Sequence, residues 1–209
     1  MMRRSLSLLS TAAILLLALV NPSLRADDFL PNVEPGKIVV RTIPGYPAIE
    51  AEIEGSVEKD WERGFRQGAR YVASIENELR WPIVVTFPDW LNQPPQPKAR
   101  MLVHLILNTQ RDFAFPKEKG LAMTDQPTVN VACYALRGAY TLENFKKGLT
   151  EIQTYLKQNN LTQNGPPRVL YYSNPAWMPS FWLLQEVQVP ILNSSSTSTE
   201  PTSSAPAAN

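Results

Sequence analysis

The stretch IPGYPAIEAEIEGS (43–56) can be laid on QPTVNVACYALRGA (126–139) without a gap. Pro44 falls on Pro127 and Gly55 on Gly138, with an alternating apolar strand between them: Ile49, Ala51 and Ile53 in the first, Val129, Val131 and Cys133 in the second. Self-similarity constrains a chain more tightly than composition does. Whatever one half builds the other must build, and the two must cover each other's apolar faces.

The segments that follow repeat as well. After Gly55, Ser56 is placed to cap a helix with Glu58 in its first turn, and Val57, Trp61, Phe65, Gly68, Val72, Ile75 and Leu79 share one helical face. After Gly138, Thr141 is placed to cap and Glu143 to favour the first turn. Leu142, Phe145, Leu149, Ile152 and Leu156 form that stripe, which Asn159-Asn160 ends. Each helix is followed by two strand-like runs: 82–87 and 101–107, then 168–173 and 183–191. Each half therefore reads strand, strand, helix, strand, strand. The expected class is α+β: a distorted β-barrel or sheet from two β-β-α-β-β repeats, about 37–107 and 121–191, with two flanking helices and a pseudo-twofold.

The ends fall outside this domain. Arg3 and Arg4, an uncharged apolar run from Leu6 to Val20 and a small residue at Ala26 have the layout of a secretory signal, residues 1–26. The run is shorter than the roughly 20 residues a membrane span needs, so an exported protein without a stable span after cleavage is expected. Residues 193–209, of Ser, Thr, Pro and Ala, read as a disordered tail. The folded domain is placed at 33–192. Removing the leader takes away three arginines and no acid, leaving 17 basic against 19 acidic residues, a formal −2. A nearly neutral domain lacks the electrostatic footprint of a nucleic-acid binder. The single cysteine, Cys133, on an alternating run, reads as a buried thiol, and one Cys with one His cannot make a structural zinc site.

In both halves the last connection carries tryptophan among prolines: Trp90 with Pro88, Pro94, Pro95 and Pro97, then Trp177 and Trp182 with Pro175 and Pro179. Proline stiffens such linkers and lowers the entropy cost of holding a ring in place. The rings either lid the core or meet a ligand.

The stretch YYSNPAWMPSFWLLQEVQVPI (171–191) resembles the C-terminal signature of the SOUL haem-binding protein family, Y-N-P-P-W-x-P-x-F followed by N-E-V-x-I-P-V. Tyr172, Asn174, Pro175, Trp177, Pro179, Phe181, Glu186, Val187, Val189 and Pro190 fall on it, with one residue inserted after Tyr172. GFRQGARYV (64–72) is similar to the family's first-helix stretch and VVTFP (84–88) to its M-T-x-P strand. The resemblance implies the duplicated barrel, a cousinship with GyrI-like effector-binding domains, and haem or a related tetrapyrrole as cofactor and partner in an apolar groove beside the first helix. It implies Phe65, Trp177, Met178 and Phe181 as groove contacts. Arg66 and Arg70 either pair with propionates or form the helix's solvated face. The family's basic residue near the groove has acidic Glu62 as its counterpart here.

Two residues keep two readings each. His104, the only histidine, is either an axial iron ligand or a satisfied strand histidine; Met123 and Tyr71 are other ligand candidates. Glu186 either pairs structurally or, as in the effector-binding cousins, faces the ligand and attracts cations. No catalytic set of the Ser-His-Asp or Cys-His kind is evident, and Glu50, Glu52 and Glu54 alternate as a solvent-facing row. The expectation is an exported, non-catalytic tetrapyrrole-binding protein, the alternative being a pocket for cationic or amphipathic small molecules.

Overall fold

A computed structural model describes residues 34–75, 79–107, 116–172 and 178–192. The leader, the tail and the linker segment with Asn174, Pro175 and Trp177 lie outside the described residues.

The first repeat supplies β1 (Ile38–Ile43), β2 (Tyr46–Ser56), α1 (Trp61–Ser74), β3 (Leu79–Thr86) and β4 (Lys98–Leu107). The second supplies β5 (Leu121–Gln126), β6 (Val129–Arg137), α2 (Leu142–Gln158), β7 (Arg168–Tyr171) and β8 (Leu184–Pro190). All eight strands join one antiparallel sheet in the order β1-β6-β8-β7-β3-β4-β2-β5. Exchanging each strand for its counterpart in the other repeat reverses this order onto itself. The pseudo-twofold axis therefore passes between β3 and β7, and each repeat lends its first strand to the other's sheet. The duplication expected from sequence is the architecture.

Both helices lie on one face. Glycines let them close on the strands: a Cβ at Gly64 would meet Ile53 and Val103 at 2.8 and 2.9 Å, and one at Gly148 would meet Val187 at 2.7 Å. On the other face Ile43, Tyr46, Ala48, Val84, Ile106, Val131, Cys133 and Leu170 are buried, and none of the described helices packs over them. The sheet covers this cluster itself by curling, into an incomplete barrel whose edge strands are β1 and β5.

Thr141 caps α2, its hydroxyl accepting from Asn144 N at 3.2 Å, and the helix stops at Asn159 as its residues direct. Ser56 does not cap α1. It ends β2; residues 57–60 form a turn, and Asp60 is the N-cap, its carboxylate accepting from Ser56 N at 2.7 Å. That carboxylate occupies the space where a Cβ on Gly55 would stand, at 2.3 Å. Asn144 crowds Gly138 in the same way, at 2.9 Å, so the paired glycines mark the same crossing in both repeats. The helix also ends earlier than its stripe suggests. Ile75 is its C-cap and Leu79 opens β3.

Candidate functional site

The fold brings five aromatic rings from four segments to the face of the sheet beside α1. Trp61, at the start of α1, has its ring centroid 4.7 Å from that of Tyr171 on β7. Tyr140, two residues past Gly138, stacks on Tyr171 at 4.1 Å and 23°. Phe65, one turn after Trp61, lies 6.4 Å from it and 5.9 Å from Trp81. Trp61, Tyr140 and Tyr171 are buried, while Phe65 is partly open.

Two hollows follow one another along α1. The first, about 260 Å³, is lined by Glu58, Trp61, Glu62, Ala139, Tyr140, Met178, Ser180 and Leu183. The second, about 520 Å³, is lined by Arg63, Phe65, Arg66, Ala69, Arg70 and Ala73. The first has an aromatic floor and an acidic rim. Glu58 Oε1 accepts from the Leu142 N–H at the start of α2 at 3.1 Å, which ties the two repeats together across this hollow. Burial pushes the Tyr171 hydroxyl well up, and the charges of Tyr140 and Glu58 push it further.

The other repeat's linker fills space of this kind instead of lining it. Trp90, in the turn Pro88–Leu91, stacks on Phe87 at 4.0 Å and 11° and sits 5.2 Å from Phe145 of α2. Trp90 is 5% exposed and Phe87 fully buried. The first linker's tryptophan is therefore core. In the second linker Met178 faces the hollow, and Phe181 and Trp182, 64% and 57% exposed, pack edge-to-face on each other at 5.6 Å.

Of the residues expected from sequence, Phe65, Arg66 and Arg70 share one hollow and Met178 lines the adjacent one. Phe181 lines neither, and Trp177 lies outside the described residues. Tyr71 and Met123 are partly buried against the core under the helices. His104 and Glu186 are elsewhere. His104 alternates with Val103 and Leu105, whose side chains meet α1, and so points into the barrel interior, 2% exposed. Its Nε2 bonds Glu50 Oε2 at 2.9 Å, and its Nδ1 has no partner among the described residues. That bond holds the Glu50 carboxyl below its usual range. Glu50 thus departs from the solvent-facing row expected of it, because the curl of the sheet encloses its end of β2.

Glu186, wholly buried, lies on the same inner face. Its Oε1 accepts from Arg41 Nη2 and from Gln188 Nε2, both at 2.6 Å, and its Oε2 accepts from the Tyr172 hydroxyl at 3.4 Å. Gln188 in turn accepts from Arg168 Nε at 2.8 Å. Burial among these groups drives the Cys133 thiol well up, and the cysteine is free and buried, as its strand position indicated. Phe65 and Met178 on the one hand and His104 on the other are therefore on opposite faces of the sheet. Among the described residues, no three His, Cys, Asp or Glu side chains gather as a metal site. No helix there is long and apolar enough to cross a membrane.

Sequence reasoning passed over Glu58, Trp61 and Tyr140 as site residues. A usable signal existed for one of them: Tyr140 directly follows the Gly138-Ala139 pair that the duplication marks.

No family model matches this chain, and no curated protein does. Solved structures do. The crystal structure of the EcmrR C-terminal domain superposes with a TM-score of 0.63 over 75% of this chain and 97% of that one, at 12% identity. A hydrolase from Listeria innocua gives 0.60 over 80% and 96%, at 8% identity. A looser match, 0.48 over 75% and 94% at 12% identity, is SAV2435, whose structure was determined bound to tetraphenylphosphonium. At such identities the likeness is one of fold. It shows the duplicated fold and does not single out a haem-binding function.

Proposed function

We propose that this chain is a binding protein for a small amphipathic organic cation, held in the aromatic hollow between α1 and the Tyr140 turn. One observation carries the reading. The hollow between α1 and the Tyr140 turn is floored by Trp61 and Tyr140 and rimmed by Glu58 and Glu62.

The chemistry of the lining favours a cation over other guests. An aromatic face attracts a desolvated cation by about 0.5–2 kcal/mol. Exposed carboxylates add little binding energy, and repel anions approaching the same rim. Most of the affinity would come from apolar contact with the indole, the phenol ring and Met178, so only ligands carrying both an apolar body and a positive charge use the whole site. The protein acts by binding and not by catalysis in this account, and it acts outside the cytoplasm if the leader-like N-terminus is used as one.

A tetrapyrrole fits the hollow less well. The acidic rim opposes its carboxylates, and His104 is across the sheet. Titrating the mature protein with tetraphenylphosphonium and, separately, with haemin distinguishes the two. Saturable binding of the phosphonium, with a micromolar constant weakened several-fold in Glu58→Gln, supports the proposal. A stoichiometric Soret shift with haemin and no phosphonium binding would replace it with the tetrapyrrole reading.

A further inference from the structure

We propose that the occupant of this groove is a zwitterion, with its cationic end at the Glu58/Glu62 rim and an acidic group at Arg70. This rests on the cation-binding reading above and specifies the rest of the molecule.

Two rows run side by side along α1, each with the four-residue spacing that lines up side chains on one helical stripe. The apolar row is Trp61, Phe65, Ala69 and Ala73, whose members line the two hollows in succession. The charged row is Glu62, Arg66 and Arg70, with Glu58 ahead of it in the turn before the helix, and its sign reverses along its length. Glu62 and Arg66 pair at 3.3 Å and cancel the middle. That leaves a carboxylate at one end and, among the described residues, a guanidinium without an ion pair at the other.

A simple cation would engage the acidic end and leave the larger hollow, about 520 Å³, empty beside Arg70. A guest that continues along the apolar row reaches Arg70, whose planar guanidinium suits a carboxylate, sulfonate or phosphate. Glu62 and Arg70 are eight residues apart, about 12 Å along the helix. An extended chain of roughly ten carbons covers that length. The complementary ligand is therefore a rod with opposite charges at its two ends.

The test compares dodecyltrimethylammonium with 12-(trimethylammonio)dodecanoate, the same chain ending in a carboxylate, both below micellar concentrations and at low salt. The expected result is roughly three- to tenfold tighter binding of the carboxylate form, the scale of one well-formed exposed Arg–carboxylate pair. In Arg70→Gln the ratio of the two affinities falls to about one. Equal binding of both ligands to the unaltered protein, or a ratio that persists in Arg70→Gln, overturns the zwitterion while leaving the cation site standing. Binding of neither overturns both.

Discussion

Trp61 of the first repeat and Tyr171 of the second face each other at 4.7 Å between ring centroids. The contact joins the halves, and Trp61 also lines the hollow, so one side chain serves fold and site together. Removing it therefore separates badly from unfolding. Trp61→Ala should cost about 3–5 kcal/mol in urea unfolding, the range for deleting a buried tryptophan. Trp61→Phe keeps a ring, and should retain most of the stability while weakening phosphonium binding several-fold, because the smaller face offers less cation–π attraction.

The inner-face network is assigned to stability. Glu186→Ala leaves Arg41 and Gln188 facing each other without their shared acceptor. A loss of about 3–5 kcal/mol is expected from breaking such a buried pair. Replacing both Glu186 and Arg41 with leucine and methionine should recover a large part of it. Phosphonium affinity in Glu186→Gln should change by less than twofold, since the residue lies across the sheet from the hollow. Urea melts and binding isotherms on the same preparations check both statements.

Helix seating gives a sharper packing test. A methyl group at Gly148 meets Val187 at 2.7 Å, and a branched side chain on a strand has little room to turn away. Gly148→Ala should destabilise by about 1–3 kcal/mol, although alanine is the better helix former. Thermal melts of this variant beside an exposed substitution on α2, such as Lys146→Ala, measure the difference.

Two pH limits follow from the ionisable groups. Glu50 has its carboxyl held low first by the hydrogen bond from His104. Its contribution is complete above the ordinary carboxylate range and disappears as pH falls through the lowered value, so stability should decline on the acid side. That slope should be shallower in Glu50→Gln. At the alkaline end, burial raises the hydroxyls of Tyr171, Tyr172 and Tyr46. Their neutral forms suit the fold, so stability should hold up to the ordinary phenol range near pH 10 and fall above it. Ultraviolet titration should show these tyrosines ionising together with unfolding.

Much of this was legible in the residues because it is periodic. The Pro44/Pro127 and Gly55/Gly138 matches predicted twin repeats, and the strand order is symmetric under their exchange. Thr141 was readable as a cap since its side chain acts within one turn. Ser56 was not, because Asp60 competes for the same backbone and β2 runs on to Ser56. The floor of the hollow was hidden for a different reason. Tyr140 and Tyr171 are 31 positions apart and stack only after β6, α2 and β7 are in place, and local spacing carries no information about such contacts. Alternation did place His104 opposite Val103 and Leu105, but not that this face curls closed over Glu50.

The most direct test is to observe where the ligand sits. Amide and indole chemical shifts of isotope-labelled protein, followed during titration with tetraphenylphosphonium, should move at Trp61, Tyr140 and Leu183 and stay still at Arg41, His104 and Gln188. Saturating shifts centred on the inner-face residues, with Trp61 and Tyr140 unmoved, would contradict the account.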